Sequence, residues 1–535
     1  MQDLEAQYYV LHKKYKNNNF SINVVDIIYI KDLSLNISLF SLQKLLNNYI
    51  KHDLIKNILI NKIVLDSRKI KGKYCLFIAI KGCKYDGKNF ITQAILKGVV
   101  AILTYSDKKT LPYTIEVKKK IPIIYLPNLL EQISYLAGTL YNHPSKKIPI
   151  IGITGTNGKT SITHFLMQWI RLLGYKPAIL STIGNGFYKN LIKTNNTTDS
   201  AVEIQSTLEK FVNQKADIVI MEVSSHGLDQ YRVANIIFSI GIFTNLTRDH
   251  LDYHINMKNY ELSKWRFFSN HKIKKKIINI DDNIGLKWCK KLSNVTVITT
   301  KLKNLLYQSN LFVYIKKIIY LSDHTIIKFN SIWGNGEIKT NLIGQFNVIN
   351  IILCMATLLN LNFPLKKLVK TVSKIFPIPG RMQKVFFKKK YTNIIIDYAH
   401  TPDALKNVLL TLKLNVKGKI WCIFGCGGER DIGKRSIMGY IATKYADIII
   451  LTTDNPRKEN IHSIINDIKT GCITLKNVYI ILNRIKAISY AISHSVKTDT
   501  ILVAGKGHEN YQIIGNKIFN YSDFNAIQKI LKNIK

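Results

Sequence analysis

The sequence is short of acid, poor in cysteine patterning and without a long apolar run, and each shortage removes a class of protein. Seven cysteines are scattered singly along 535 residues, with no CxxC pair. That spacing excludes a disulfide scaffold and a zinc knuckle. No uninterrupted apolar stretch approaches the 18 or so residues that a membrane span needs. The first thirty residues carry Asp3 and Glu5 and no continuous apolar core, unlike a signal peptide. A cytoplasmic protein is the expectation. Against 77 Lys and Arg stand only 34 Asp and Glu, a formal charge of +43. Such a balance is the usual mark of a polyanion partner. Here the lysines are spread along the whole chain with abundant Asn, Ile and Tyr, residues favoured by AT-rich codons. Runs such as "HKIKKKII" adjoin apolar strand-like segments and read as solvated faces.

What is present is 47% hydrophobic residues in a chain long enough for several cores. The first 38 residues, rich in Asn, Lys and Tyr, show no chemistry and read as an extension of unknown role. From residue 39, strand-like "CLFIAI" and "VVAILTY" alternate with helix-like "FITQAILKG" as far as the Pro-containing break "YNHPSKKIP". A second break falls at "FPIPGRMQ". Beyond it, "NIIIDYAH", "KIWCIFG", "DIIILTTDNPR" and "TILVAGKGHEN" are separated by helical segments, which implies a mostly parallel, Rossmann-like sheet. Ligands in such sheets sit beyond the carboxyl ends of the strands. The expected fold is therefore α/β in three domains, 39–145, 146–378 and 379–535.

The second domain opens with "IPIIGITGTNGKTSITHFLMQWI": an apolar strand, a turn with Gly152, Gly155 and Gly158, then a helical pattern. The strict pattern GxxxxGK[ST] is missed, because Ile153 stands where its first glycine should be and Gly152 precedes it. The physics survives. Backbone N–H groups of Gly155, Thr156, Asn157, Gly158 and Ser161 and the helix start face phosphates, Lys159 reaches the outer phosphates, and Thr160 is placed to hold Mg²⁺. ATP is the expected nucleotide.

The form "GITGTNGKTS" resembles the Mur ligase family, and the resemblance extends from about residue 39 to the end through "LDSR", "NTT", "EVSSHGLDQYR", "FTNLTRDHLDYH", "YELSKW", "GQFNVIN", "GRM", "DYAHTPDAL", "FGCGGERDIGKR", "DNPR" and "GKGHE". It implies an N-terminal UDP-substrate-binding domain, a central ATPase domain and a C-terminal domain that brings an amino acid. The implied reaction moves the ATP γ-phosphoryl onto a carboxylate, after which an amine displaces phosphate to form an amide. The substrates implied are UDP-N-acetylmuramoyl-L-alanyl-D-glutamate and meso-diaminopimelate, in peptidoglycan precursor synthesis.

Residue roles follow from the same resemblance. Glu222 and His250 join Thr160 at Mg²⁺, and with Lys159 and Lys264 form the catalytic set. Lys264 in "YELSKW" matches a family lysine carbamoylated by CO₂. Leu65, Ser67 and Cys83, Lys84 and Tyr85 correspond to the uridine-binding segments, the last three departing from the more usual His-Gln-Ala. Asn196, Thr197, Thr198, Ser224, Gln230 and Arg232 correspond to the muramoyl-dipeptide contacts. Asn347, Asp397 and Arg381 serve ATP; Gln383, two residues on, replaces a more usual acid.

For diaminopimelate the resemblance assigns Arg430, Asp454, Asn455, Pro456, Arg457, Gly505 and Glu509. The far end of that amino acid carries a second carboxylate and ammonium, for which Arg457 with Arg430 and Glu509 are suited. The expected state is a monomer acting on small molecules, without nucleic acid or membrane. Other readings stay open on sequence alone: a lysine-adding ligase, folylpolyglutamate synthetase, a basic P-loop ATPase binding nucleic acid, or a decayed remnant.

Overall fold

The computed structural model describes residues 38–82, 85–108, 110–194, 196–305, 311–321, 324–385, 392–414 and 416–533. Residues 1–37 of the amino-terminal extension and two of the uridine-segment residues, Cys83 and Lys84, lie outside them. The chain divides into two compact units, one ending at Leu129 and one beginning at Leu130.

In the first unit β1 (Lys62–Val64), β2 (Cys75–Ala79), β3 (Ala101–Tyr105), β4 (Ile115–Lys118) and β5 (Ile121–Leu126) form a sheet in the order β1-β2-β3-β5-β4, parallel except for β4 against β5. All five residues of β2 are buried, as expected of a strand covered on both faces.

The second unit contains two large sheets. The first is built from β6 (Ile150–Thr154), β7 (Pro177–Leu180), β8 (Asn185–Phe187), β9 (Asn190–Ile192), β10 (Ile218–Glu222), β11 (Phe238–Phe243), β12 (Ile273–Asn279), β13 (Val295–Thr299), β14 (Leu311–Tyr320), β15 (Thr325–Ser331) and β16 (Gly336–Thr340). Their order is β9-β8-β7-β10-β6-β11-β12-β13-β14-β15-β16. The centre, from β7 to β14, is parallel, and both margins are antiparallel. Ile151 and Ile153 of β6 point to one core, shared with α1 (Lys159–Leu172) and α3 (Gln345–Asn360); Ile150 points to the other, shared with α2 (Met257–Asn270). On α1 the buried Ile162, Phe165, Leu166, Trp169 and Ile170 follow the spacing of one helix face.

The second sheet has β17 (Gln383–Val385), β18 (Asn393–Asp397), β19 (Ile420–Phe424), β20 (Ile448–Leu451), β21 (Val478–Ile480) and β22 (Thr500–Ala504), ordered β17-β18-β22-β19-β20-β21 and parallel except at β17. Helices α4 (Pro402–Lys413) and α5 (Gly433–Tyr445) pack on it, and a hairpin of β23 (Tyr511–Ile514) and β24 (Lys517–Asn520) follows. The "HKIKKKII" run forms the start of β12, with Lys274 and Lys275 exposed and Ile277 and Ile278 buried. Among the described residues no helix is long and apolar enough to cross a membrane.

Candidate functional site

The glycine-rich turn joins β6 to α1, with one correction to the sequence reading. Gly152 lies inside β6 rather than in the turn. A Cβ there would stand 2.6 Å from Phe267 Cζ on α2, so this glycine admits a helix close to the strand. That proximity matters, because α2 also carries Lys264 and Tyr260. Lys264 Nζ donates to Gly155 O at 2.9 Å, and Tyr260 shares a hydrogen bond with Thr156 Oγ1. Gly155 itself has φ +144°, and a Cβ on it would lie 1.9 Å from Thr244 Oγ1. The loop is thus glycine by both conformation and space.

Around the turn sits a buried charged cluster. Lys159 Nζ donates to Gly155 O and Thr156 O at 2.8 and 2.9 Å. Thr160 Oγ1 donates to Glu222 Oε2 at 3.0 Å, and Thr182 donates to both Glu222 oxygens through its N–H and hydroxyl. Glu222 ends β10 and is 1% exposed. Burial raises its pKa against the pull of Lys159 and lowers that of Lys159. Lys264, also 1% exposed, is held well below the ordinary lysine value by burial and then by the charge of Lys159. Its amine is therefore driven toward the neutral form.

His250, at the left-handed start of the short helix Leu251–His254, stands next to Asp249 and packs edge-on against His226. Burial lowers its pKa, leaving an imidazole with a free lone pair. Thr160, Glu222 and His250 offer a hydroxyl, a carboxylate and an imidazole nitrogen. Among the described residues there is no cluster of three or more His, Cys, Asp or Glu suited to a metal. The hydrogen-bonded Thr160 and Glu222 supply the oxygen ligands that Mg²⁺ prefers, whereas the His250 nitrogen is a less usual ligand for it.

Thr182 also lines a cleft of about 470 Å³, and this cleft unites two groups of predicted residues. From the first sheet come Asn196, Thr197, Thr198, Ser224, Arg232 and His250. From the second come Arg430, Asp454, Asn455, Arg457, Gly505 and Glu509. Gln230 lies behind the wall, accepting from Arg232 Nε and Nη2 at 3.0 and 2.6 Å, while Arg232 Nη1 donates to Thr198 O. Thr198 Oγ1 donates to Glu222 O and accepts from Ser224 N, tying the cleft wall to the strand end. Pro456 acts through its backbone, accepting Glu459 N.

Arg457 lines the cleft with its Nη1 committed to Gly428 O at 2.8 Å and Asn455 O at 3.3 Å. Burial, then the adjacent charge of Arg430, lowers its pKa. Asp454 and Glu509 offset part of the charge on Arg457, and Arg430 Nη1 lies 3.8 Å from Asp252 Oδ2.

The nucleotide residues outside the loop do not line this cleft. Asn347 Nδ2 donates to Ile343 O at the start of α3. Asp397, at the end of β18, accepts Met382 N at 2.7 Å, and burial raises its pKa despite Arg381. Arg381 lies over the Tyr398 ring at 4.3 Å, and its buried Nε has no hydrogen-bond partner among the described residues. Gln383 Oε1 accepts Gly380 N at 2.7 Å and so caps the turn entering the second sheet.

Contacts between the two sheets are carried largely by residues that sequence reasoning gave no role: Arg248, Asp249, His400, Asp403, Asp431 and Lys434. Arg248 makes a bidentate pair with Asp431, both bonds 2.9 Å. Asp249 faces Lys434 at 3.3 Å and His250 and His400 at 3.5 Å. Burial pushes Asp249 up, but Lys434 above all, with the flanking His250 and His400, outweighs it and holds it well below the usual carboxylate range. Asn157 donates to Asp403 at 3.1 Å at the start of α4. The signal was present, since Arg248 and Asp249 sit in "TRDH" and Asp431 and Lys434 in "GERDIGKR". Only the fold pairs them.

In the first unit Ser67 is buried and donates to Gln93 Oε1 at 2.7 Å. Leu65 precedes it, and Tyr85 is 73% exposed.

Three family patterns match the chain: "Mur ligase family, catalytic domain" over 59–136, "Mur ligase middle domain" over 153–358 and "Mur ligase, glutamate ligase domain" over 380–507. The chain is 50% identical over 476 residues to UDP-N-acetylmuramoyl-L-alanyl-D-glutamate--2,6-diaminopimelate ligase of Buchnera aphidicola subsp. Schizaphis graminum (strain Sg), covering 88% of this chain and 95% of that protein. It is 43% identical over 480 residues to the ligase of the same name from Haemophilus influenzae (strain PittGG), covering 90% and 98%. A solved structure of a ligase of that name superposes with a TM-score of 0.63 at 30% identity, covering 92% of this chain and 99% of the other.

Proposed function

The chain belongs to the Mur ligase family, and we propose that it joins meso-2,6-diaminopimelate to UDP-N-acetylmuramoyl-L-alanyl-D-glutamate, driven by ATP, in the building of peptidoglycan precursors. The observation that carries this reading is the single cleft lined by His250, Arg232 and Ser224 on one side and by Arg430, Arg457 and Glu509 on the other. An acyl acceptor and an amine donor must meet next to a phosphate cradle, and the cleft adjoins that cradle through Thr182 and Glu222.

On this reading residues 39–145 hold the uridine diphosphate with Leu65, Ser67 and the segment 83–85. Residues 146–378 hold ATP and the dipeptide, and 379–535 bring the amino acid. The working protein is a cytoplasmic monomer. Lys159 and the loop N–H groups neutralise the transferring γ-phosphoryl as it moves to the D-glutamate carboxylate. Arg381, with one buried donor to spare, approaches the same phosphates, and Asp397 accepts from the ribose.

Mg²⁺ would be held by Thr160, Glu222 and His250, where it supplies charge neutralisation of phosphoryl oxygens. Lys264 is the residue to take up CO₂. Its neutral amine is the nucleophilic form: the nitrogen bonds to the carbon of CO₂ and gives up a proton, so that a neutral buried group would become an N6-carboxylate near His250. Once the acyl phosphate exists, the diaminopimelate amine adds to its carbonyl carbon and gives up a proton, the tetrahedral centre expels phosphate, and the amide remains. Arg232 orients the dipeptide carboxylate. Arg457 and Arg430 take the far carboxylate of the amino acid and Glu509 its far ammonium, so selection acts on the end remote from the chemistry.

The test is product identity. Purified protein with ATP, Mg²⁺, the UDP-dipeptide and meso-diaminopimelate should yield a UDP-tripeptide detectable by mass spectrometry, and none without ATP. No tripeptide under these conditions would end the proposal.

A further inference from the structure

Lys506 is a buried cation for which the reaction above has no use. It stands between Gly505 (φ +107°) and Gly507 (φ +52°), in the turn that follows β22, and is 0% exposed. A Cβ on Gly505 would meet Asp454 Oδ2 at 2.6 Å, and one on Gly507 would meet Gly380 O and Tyr398 Cβ at 2.7 Å. The turn is wedged, so the lysine cannot leave by a small backbone shift.

Its Nζ donates to Asn455 Oδ1 at 3.1 Å and to Glu509 Oε2 at 2.9 Å, and lies 5.5 Å from the centre of the Tyr511 ring. These bonds set two orientations. Asn455 Oδ1 accepts from Lys506 and from Ile513 N at 3.0 Å, so its amide nitrogen must point the other way, where it donates to Glu509 Oε2 at 3.0 Å. Glu509 Oε2 is thereby filled by two donors. Oε1 has, among the described residues, only the Tyr511 hydroxyl at 3.5 Å, and both Glu509 and Tyr511 line the cleft.

We propose that Lys506 is a positioning residue for amino-acid selection: by occupying Glu509 Oε2 and fixing the Asn455 amide, it presents Glu509 Oε1 to the distal ammonium of the incoming amino acid. The inference rests on the function proposed above and deepens it. A dangling glutamate would rotate between two acceptor oxygens and lose entropy on binding; a pinned one has already lost it. Lys506 also balances the Glu509 charge, so the cleft selects a dipolar far end, carboxylate on Arg457 and ammonium on Glu509, and not a bare cation.

The test compares meso-diaminopimelate with L-2-aminopimelate, which keeps the distal carboxylate and has hydrogen in place of the distal amine. For the wild type, KM for diaminopimelate should be the lower. Lys506→Met should raise KM for diaminopimelate about 10- to 100-fold, the loss of one or two charge-assisted bonds. It should leave kcat, and KM for aminopimelate, within about threefold, so the preference collapses. Lys506→Arg should restore part of the preference, and in a Glu509→Gln background should change nothing further.

Equal losses for both amino acids, or a fall in kcat alone, would make Lys506 merely structural and overturn the proposal. If Lys506→Met does not fold, the Lys506→Arg comparison with and without Glu509→Gln decides it: an effect of equal size in both backgrounds rejects action through Glu509. Absence of wild-type turnover with diaminopimelate would remove the ligase reading and this inference together; wild-type turnover with an unaltered preference in the variant would remove only the role of Lys506.

Discussion

Arg457 offers the sharpest perturbation. Its Nη1 group is spent on Gly428 O and Asn455 O, which leaves Nε and Nη2 as the fork for a ligand carboxylate. Arg457→Ala removes that fork from a half-buried site. Truncating one partner of a desolvated charge pair costs about 2–5 kcal/mol, or about 30- to 4,000-fold in kcat/KM for diaminopimelate, using 1.4 kcal/mol per tenfold. Arg457→Lys should lie between, because one ammonium cannot hold two carbonyls and a carboxylate in the same plane.

The assay is phosphate release at saturating ATP and UDP-dipeptide, titrated separately with meso-diaminopimelate and L-lysine. Lysine lacks the distal carboxylate, so its weak turnover should change less than about threefold, the cost of repacking alone. The loss for diaminopimelate should appear mainly in KM, since the contact is remote from the reacting carbonyl and is made equally before and during the reaction. An unchanged diaminopimelate KM in Arg457→Ala, or an equal loss with lysine, would refute the placement of the carboxylate at Arg457.

Other outcomes follow from the same geometry. Gly155→Ala forces a methyl to 1.9 Å from Thr244 Oγ1 at a φ of +144°, and should abolish measurable ATP binding by calorimetry while the cooperative unfolding transition remains. Lys264→Gln should lose activity, and the wild-type protein in ¹³C-bicarbonate should show a carbamate carbon signal that the variant lacks. Asp523 pairs with Arg484 through two bonds of 2.8 and 2.9 Å at 0–1% side-chain exposure; Asp523→Ala should destabilise the protein by about 3–5 kcal/mol in urea unfolding, because it strands a buried guanidinium.

His164 is buried on α1, hydrogen-bonded to Ser181, and pushed down to about 4 by burial and by Arg381. The unfolded chain takes up this proton below about pH 6.5, before the folded one does. Its contribution is thus present above pH 6.5 and is lost as pH falls toward 4, at up to about 1.4 kcal/mol per pH unit. His164→Gln should flatten that part of the urea-midpoint profile, and an unchanged slope would contradict the assignment.

Much of this was legible in the residues because the signals are local. The strand, glycine turn and amphipathic helix from Ile150 to Leu172 need only neighbours in sequence, as do the alternating elements β18 to β20 with α4 and α5. The antiparallel β14, β15 and β16 were not legible: their lysine-studded alternation says "strand" without saying which sheet they extend, and that depends on the register of Val295–Thr299. Gly152 read as part of the phosphate turn because the sequence shows glycines in a row, whereas its cause is Phe267, more than a hundred residues away. Lys264 stood out only through its place in "YELSKW", while Lys434 and Lys506 looked like two of many lysines in a basic chain. Only burial separates them from the solvated majority, and burial is a property of packing.

The measurement that bears most directly on the central claim is phosphate release from ATP by the purified protein with UDP-N-acetylmuramoyl-L-alanyl-D-glutamate, run with meso-diaminopimelate, with L-lysine and with neither. The account predicts rapid release with diaminopimelate and near-background release in the other two. Equal or faster release with lysine would contradict the reading of Arg457 and Glu509, and background release in all three would contradict the ligase itself.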